Sequence, residues 1–282
     1  AGPAPVAFSA DGHLLATSDG HGIVRVWDVA ARRLLGGPLS SYRTVTGLAL
    51  SPDGKTLAVA GSGVQLWQTA TGQRIGTALP AAGHGRYRAV AFSPDGTMLA
   101  TLGADGTARI WSVTTRQEIG TPMTVGSPGA RAGTVAFSPN GRTLVTVGNG
   151  GQTRLWRVAT DQPLGKPMAA GPATTVAAFS PDGTTLATAG GDGSVRLWDV
   201  ATQQEIGAPM TAGIQPVYAA AFGPGGSTLA TAGGDGAARI WDVAFPANLL
   251  QGACGIANVS LTRQQWADYA GTQPFQQVCP AG

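Results

Sequence analysis

One pattern recurs six times along most of this chain, and it constrains the fold more than any other feature. The stretch SPDGTTLATAGGDGSVRLWDV occupies residues 180–200. Its copies lie at 9–29, 51–69, 93–113, 138–158 and 223–243. Each copy holds a tryptophan near its end, and successive tryptophans are 40, 44, 45, 42 and 43 residues apart. A period of this length is typical of repeat architectures, so the Asp, Thr and Trp residues of 180–200 are predicted to be structural.

A single repeat is predicted to form a four-stranded antiparallel meander. In the repeat at 174–209, a short apolar run ends at Phe179, and Pro-Asp-Gly then makes a turn. TTLATAG is predicted to be the second strand, GDG a hairpin turn and SVRLWDV the third strand. QEIGAP is predicted to be an edge strand that ends at Pro209. Such sheets cannot bury both faces alone, so we expect them to stack radially.

Composition supports an all-β fold and excludes two classes of partner. Of 282 residues only 12% are charged, while there are 43 glycines and 19 prolines. The net charge is +3, and the 16 Arg and 2 Lys are dispersed, so we expect no nucleic-acid binding. No apolar run is long enough to span a bilayer, so we expect no direct membrane insertion. The chain begins at Ala1 without a methionine, and we expect it to be an excised or processed part of a longer polypeptide.

The period and the LWD or IWD endings resemble those of the WD-repeat β-propeller family across residues 4–244. The resemblance implies an all-β propeller of four-stranded antiparallel blades. Six repeats favour six blades, and seven is the alternative because sevenfold propellers are common in the family. We expect the sixth sheet to lack its outer strand, with the C-terminal tail packed nearby. The expected domains are a propeller at 1–244 and a helical cap at 245–282.

In that family a strand Trp, a Ser or Thr, a turn Asp and a loop His share hydrogen bonds within each blade. The matching threonines are Thr17, Thr101, Thr146, Thr188 and Thr231, and Val59 stands in the second blade. The turn Asp matches at Asp105, Asp192 and Asp235, whereas His21 and Asn149 stand in two equivalent places. The Gly-His pair occurs only at Gly83 and His84, one residue out of register. We therefore expect the full network in no blade, and packing and backbone ladders to supply most of the stability.

The tail from 245 to 282 departs from the repeat. Pro246 can open one helix, and Thr262 with Gln265 forms a capping-box pattern for a second helix. Cys254 and Cys279, the two cysteines of the chain, both lie here. We expect them to form a disulfide, worth about 3 kcal/mol, in an extracytoplasmic setting. The alternative is two buried thiols in a cytosolic protein. The tail resembles the segment that ends many actinobacterial WD-repeat chains, where the propeller often follows a kinase or a STAND-type NTPase module.

Catalytic and cofactor motifs are not evident. His13, His21 and His84 lack metal-ligand spacing, and the chain contains neither a phosphate-binding loop nor a nucleophile elbow. We therefore expect no metal, no cofactor and no enzymatic activity. The recurring arginines two residues before the tryptophans, among them Arg196, are expected to pair or stack locally.

The segments that join one blade to the next differ most between repeats, and they carry the candidate site. In a propeller these loops gather on one rim, where binding usually resides. They hold several large polar residues of the kind enriched at interfaces. The candidate partner-binding residues are Tyr42, Arg43, His84, Arg86, Tyr87, Arg88, Arg131 and Tyr218.

We therefore predict a monomeric, non-catalytic binding scaffold or sensor domain of a larger bacterial signalling protein. Its partner would be a protein or peptide with acidic or phosphorylated groups, bound near the junction of the second and third blades. One alternative is an enzyme or small-ligand sensor that uses the propeller channel. A second alternative is a purely structural spacer.

Overall fold

The described part of the chain consists almost entirely of β-strands. The computed structural model describes residues 5–244, with gaps at 20, 41, 81–85, 128, 130–132, 172–173 and 214. The predicted helical cap at 245–282, with Cys254 and Cys279, lies outside the described residues and stays a prediction.

The strands form six antiparallel sheets in chain order, one for each sequence repeat. Blade one contains β1 (Val6–Phe8), β2 (Leu14–Ser18), β3 (Ile23–Asp28) and β4 (Arg33–Ser40). Blade two contains β5 (Gly47–Leu50), β6 (Thr56–Ala60), β7 (Val64–Gln68) and β8 (Arg74–Leu79). Blade three contains β9 (Tyr87–Phe92), β10 (Met98–Gly103), β11 (Thr107–Ser112) and β12 (Glu118–Thr124).

The second half of the chain repeats this order. Blade four contains β13 (Val135–Phe137), β14 (Thr143–Val147), a 3-10 turn (Asn149–Gly151), β15 (Thr153–Arg157) and β16 (Gln162–Met168). Blade five contains β17 (Thr174–Phe179), β18 (Thr185–Gly190), β19 (Ser194–Asp199) and β20 (Met210–Thr211). Blade six contains β21 (Val217–Phe222), β22 (Thr228–Gly233) and β23 (Ala238–Asp242).

The fold is the predicted all-β propeller, with six blades. In blades one to five each strand pairs antiparallel with the next, which is the predicted meander. Blade six has three strands among the described residues; the residues that follow its third strand lie outside them, so the expectation of a missing outer strand stays a prediction. The innermost strand of each blade contacts the innermost strand of the next blade along the chain, which confirms radial stacking.

The fourth strand of blade five differs from the prediction. QEIGAP does not form a continuous strand: only Glu205 pairs, through an isolated bridge to Trp198. Regular pairing resumes at Met210–Thr211, after Pro209. Gly207 lies between the two with φ of 70°, a left-handed conformation that Gly36, Gly76, Gly120 and Gly165 share in outer strands that stay continuous.

Apolar cores between successive sheets hold the blades together. The core between blades one and two combines Val24 and Val26 of blade one with Leu57 and Trp67 of blade two. Four further cores of the same kind join blades two to six in order. Leu57 and its counterparts in the other cores are almost fully buried, and burial of one such side chain stabilises the fold by about 1.5–3 kcal/mol.

A buried Trp–Thr hydrogen bond recurs in five blades. The indole Nε1 of Trp111 donates to Thr101 Oγ1 at 2.9 Å, and Trp27, Trp156, Trp198 and Trp241 make the same bond to the predicted threonines at 2.8–3.0 Å. Blade two is the exception. Val59 stands in the threonine position, and Trp67 Nε1 is buried without a hydrogen-bond partner among the described residues. The Trp–Thr half of the family network therefore forms in the five blades where the sequence places a threonine.

The Ser-Pro-Asp-Gly segments are turns held by their own side chains. In blade five, Ser180 Oγ donates to Asp182 Oδ1, and Asp182 Oδ1 also accepts from the backbone N–H of Thr184 at 3.0 Å. Ser138 and Asn140 build the same turn in blade four, with an Oγ–Oδ1 distance of 2.8 Å. Hydrogen bonds from Ser180 and Thr184 hold the pKa of the Asp182 carboxyl below its usual range. The Asp-Gly pairs of 180–200 are thus structural, as predicted.

The recurring strand arginines pair locally, as predicted. Arg109 Nη1 lies 2.9 Å from Asp105, Arg239 Nη2 lies 2.6 Å from Asp235, and Arg196 Nη1 lies 3.1 Å from Glu205. Arg154 instead lies over the ring of Trp156, 5.5 Å from its centroid. In blade one the carboxylate comes from Asp19, not from the His21 position: Asp19 accepts from two backbone N–H groups of the turn and lies 3.5 Å from Arg25.

Exchange of threonine and valine at the position that faces the tryptophan should have opposite effects on stability in blades three and two. Thr101→Val keeps the side-chain volume but leaves the Trp111 N–H buried and unpaired, so it should lower the free energy of unfolding by about 1–2 kcal/mol. Val59→Thr supplies the acceptor that Trp67 lacks, so it should raise the free energy of unfolding by about 0.5–1.5 kcal/mol. Urea unfolding followed by tryptophan fluorescence measures both changes. Equal destabilisation by the two variants would contradict this interpretation.

The Ser–Asp turn predicts a pH-dependent effect for Asp182→Asn. A carboxyl whose pKa is lowered by folding stabilises the fold above the unfolded-state pKa, near ~3.9, and this contribution is lost as pH falls through the folded-state pKa. Asn140 shows that asparagine can build the turn, so the variant should lose less than about 1 kcal/mol at pH 7. The difference from wild type should shrink at pH 3. A difference that is unchanged between the two pH values would show that the carboxyl charge is not involved.

Candidate functional site

The candidate residues that the structure describes lie at one end of the propeller, which we call the upper rim. It carries the turns between second and third strands together with the connections from each blade to the next. The two kinds of loop contact each other: Val125 N donates to Gly106 O at 2.9 Å, and Ala212 N donates to Gly193 O at 2.8 Å. The opposite end carries the Ser-Pro-Asp-Gly turns, and we call it the lower rim.

Blade two has an unusual turn on the upper rim. Its turn at 61–63 is two residues shorter than most others and consists of Gly61, Ser62 and Gly63. The ring of Tyr42 lies over this turn so closely that a Cβ atom on Gly61 or Gly63 would overlap it. On the other side, the backbone N–H of Tyr87 donates to Gly61 O at 2.9 Å. The glycine turn therefore brings the segments around Tyr42 and Tyr87 together, at the predicted junction of blades two and three.

Tyr42 is half-buried, and its hydroxyl is unusual. The ring packs against the core between blades one and two. The hydroxyl is buried and has no hydrogen-bond partner among the described residues. Burial raises the pKa of the Tyr42 phenol above its ordinary value. A buried hydroxyl without a partner costs free energy, so the part of Tyr42 that a bound molecule can contact is the exposed portion of its side chain and not the hydroxyl.

Tyr87 supports the candidate site from within the core. Its side chain is fully buried, and its hydroxyl donates to the Pro80 carbonyl oxygen at 2.6 Å. Burial raises the pKa of Tyr87 to about 12. A side chain in this position cannot contact a partner, so we leave it out of the proposed contact surface.

Three arginines surround this junction. Arg43 and Arg86 are exposed, and Arg88 is half-buried. Arg88 occupies a β-bulge in β9, between the paired residues Tyr87 and Ala89, and its Nε is buried without a hydrogen-bond partner. Within the described part of the chain, none of the three arginines is within ion-pair distance of a carboxylate.

The lack of nearby carboxylates follows from the sequence of blade two. In blades one, three and six the turn on the upper rim supplies an aspartate that pairs with the strand arginine. Blade two has Ser62 in its turn and Gln65 in place of that arginine. The nearest acidic groups of blade three, Asp105 and Glu118, are both within ion-pair distance of Arg109. The rim between blades two and three is therefore positively charged.

The other candidate residues lie elsewhere or outside the described residues. Tyr218 is exposed and occupies the equivalent β-bulge in blade six, so it is not part of the junction of blades two and three. His84 and Arg131 lie outside the described residues. We therefore call the surface formed by Tyr42, Arg43, Arg86 and Arg88 the junction patch.

Sequence reasoning did not identify three residues that shape the junction patch. Gly61 and Gly63 make room for the Tyr42 ring, and the signal for them was the shortened turn. Thr46 also contributes, because its Oγ1 donates to the Tyr87 carbonyl oxygen at 2.7 Å and ties blade two to blade three beneath the patch. No pattern in the sequence distinguishes Thr46 from an ordinary strand residue.

Other kinds of site have less support in the described residues. Among them, no three His, Cys, Asp or Glu side chains cluster in a way that could hold a metal ion. Two grooves are shallow and open to solvent: one of about 410 Å³ beside Thr124 and Gln152, and one of about 510 Å³ beside Leu164 and Gln203. Neither adjoins the junction patch. None of the described helical segments has the length and apolar character needed to cross a membrane.

Comparison with known proteins identifies the repeat. The family model "WD domain, G-beta repeat" matches residues 6–28, 75–112, 125–157, 168–199 and 211–242, more than half of the chain. It leaves out 29–74, which contains most of blade two, with Val59 and the glycine turn.

Three similar proteins match parts of the chain. Apoptotic protease-activating factor 1 of Homo sapiens is 43% identical over 75 residues, 24% of this chain and 6% of that protein. WD repeat and SOCS box-containing protein 1 of Mus musculus is 31% identical over 109 residues, 38% of this chain and 26% of that protein. The uncharacterized WD repeat-containing protein sll1491 of Synechocystis is 34% identical over 104 residues, 36% of this chain and 29% of that protein. The matches span less than a third of each relative.

Members of this repeat family are generally non-catalytic scaffolds that bind proteins. The family model, the six tryptophan-containing repeats and the six radial sheets agree. The chain belongs to the WD-repeat β-propeller family.

Proposed function

We propose that this propeller is a non-catalytic binding domain whose junction patch recognises an acidic or phosphorylated segment of another protein. The observation that carries the proposal is that Arg43, Arg86 and Arg88, in the segments on either side of blade two, have no carboxylate within ion-pair distance among the described residues. Such arginines can bind carboxylate or phosphate groups through two parallel hydrogen bonds. Rigid strands hold this surface in place, which is typical of loop-based binding sites.

Tyr42 adds a second kind of contact to the junction patch. Its ring is fixed against Gly61 and Gly63, and its hydroxyl has no partner among the described residues. A fixed aromatic ring beside arginines is the residue combination enriched at interface hot spots. A peptide with an acidic group next to an apolar or aromatic side chain would contact both the arginines and the exposed part of the Tyr42 side chain.

We further propose that the domain serves a larger bacterial signalling protein. The matched relatives are much longer than the segments they share with this chain, and one of them is bacterial. The Arg-rich, Lys-poor composition fits a bacterial genome of high GC content. In this setting the propeller would hold a partner close to a catalytic module elsewhere in the same polypeptide.

The arginines of the junction patch can be tested by capture of partners from bacterial lysate. The variant Arg43→Ala/Arg86→Ala/Arg88→Ala removes the charges and keeps Tyr87, whose replacement would open a cavity in the core. Capture should fall at least about tenfold, because two or three charge-assisted hydrogen bonds of about 1.5–3 kcal/mol each are lost. Wild-type capture should also weaken between 50 and 500 mM salt, since these charges are at the surface.

The matched control removes arginines from other parts of the propeller. Arg142→Ala/Arg157→Ala changes two exposed arginines, one of them in a lower-rim turn, and should leave capture unchanged. Treatment of the lysate with phosphatase separates phosphate from carboxylate recognition. Equal capture by wild type, patch variant and control, with all three folded by circular dichroism, would refute the junction patch.

A further inference from the structure

Blade six leaves one apolar sheet face without a neighbour in the described part of the chain. Ile240 is 80% exposed, whereas the equivalent Leu197 of blade five is 5% exposed because blade six covers it. Ala230 and Ala232 on the same face are exposed, and their counterparts Ala187 and Ala189 are buried. A sheet face of this composition is normally covered, since each exposed apolar residue loses the free energy of burial.

Blade one leaves the complementary face open. Val6 and Phe8 of β1 are 62% and 59% exposed, whereas the equivalent Val135 and Phe137 of blade four are buried against blade three. Trp27 is only partly buried, unlike the tryptophans of blades two to five. Five apolar cores join six blades, and none of them, among the described residues, lies between blade six and blade one. We call these two open faces the seam.

The chain leaves the described propeller at the seam. In blades one to five, the residues that follow the third strand supply the fourth strand of the same sheet. In blade six the third strand ends at Asp242, and the described residues end at Ala244. Residues 245 onward therefore begin at the unpaired edge of blade six.

Contacts between neighbouring blades also indicate that an outer strand lies at the edge of blade six. Arg116, Asp161 and Gln203 have positive φ and reach the outer strand of the preceding blade. Gln203 Nε2, for example, donates to Leu164 O at 2.7 Å, and Asp161 Oδ2 accepts from Thr121 N at 2.8 Å. Arg32 of blade one holds the same conformation, with φ of 52°. The strand that it would reach is the outer strand of blade six.

We propose that residues 245–282 occupy the seam, completing the edge of blade six and covering the open faces of blades six and one. The segment has 38 residues, and a fourth strand such as β12 needs seven of them. Arg263 and Asp268 are its only charged residues. Its large apolar side chains match faces made of alanine, isoleucine, valine and phenylalanine; they include Leu249, Leu250, Ile256, Leu261, Trp266 and Phe275.

Site-specific photo-cross-linking of the full chain tests this placement. A benzoylphenylalanine replaces Ile240 on one open face, Phe8 on the other, or Ile119 as a control on the exposed outer strand of blade three. Mass spectrometry of a mixture of light and isotope-labelled chains separates links within one copy from links between copies. We expect probes at 240 and 8 to link to peptides from 245–282 of the same copy, and the probe at 119 to give no such link.

Three results of the cross-linking would overturn the proposal. Links between copies would show that a second chain covers the seam. Links that join blade six directly to blade one would show that the ring closes without the segment. Absence of any link from 240 and 8 to residues 245–282 would show that the segment lies elsewhere.

A stability measurement gives an independent readout. Ile240→Asp places a charge on a face that the segment would bury, so it should lower the Tm by about 5 °C or more. Ile119→Asp on the exposed outer strand should lower the Tm by less than about 2 °C. Equal small shifts for the two variants would show that Ile240 is exposed to solvent, which contradicts the proposal.

Discussion

Burial of one sheet face against the next is the constraint on which the rest of this structure depends. A four-stranded blade has two apolar faces, and its own strands cover neither of them. Leu57, Leu99, Leu144, Leu186 and Leu229 are almost fully buried because each lies in a core shared with a neighbouring blade. Phe8 and Ile240 lie on the two sheet faces that no neighbouring blade covers among the described residues. By the same reasoning these apolar faces should be buried in the folded protein.

Residues that resemble an active site mostly serve this stacking. The carboxylates of the Ser-Pro-Asp-Gly segments accept hydrogen bonds from their own turns, as at Asp182. The carboxylate of Asp105 pairs with Arg109, and the tryptophans in five blades donate to threonines. Blade two departs from this pattern at Val59, Gln65 and its glycine turn. Since the structural partners are missing there, Trp67 Nε1 is left unpaired in the core, and Arg43, Arg86 and Arg88 of the junction patch have no carboxylate partner among the described residues.

Much of the fold could be predicted from the sequence, because period, turn residues and strand alternation are local properties. The six blades and the meander follow from them. The burial of Tyr87 could not be predicted, since it depends on where the preceding loop places Pro80 relative to blade three. The role of Asp19 could not be predicted from the alignment of the repeats, because Asp19 stands two residues before the position that aspartate occupies in blades three and six. The broken fourth strand of blade five could not be predicted, since the similar segment QPLGKPM of blade four forms the continuous strand β16.

The position of the candidate site on the propeller could be predicted from the sequence, but the residues that form its surface could not. Variable loops and scarce arginines indicated the junction of blades two and three, whereas the choice among Tyr42, Tyr87 and Tyr218 required the structure. The most direct measurement is hydrogen–deuterium exchange of the propeller with and without a captured partner. We predict slower exchange at 42–46 and 86–88 on the upper rim, with the lower-rim turns at 51–55 and 93–97 unchanged. Slower exchange confined to the lower rim or to the outer strands would contradict this placement of the binding surface.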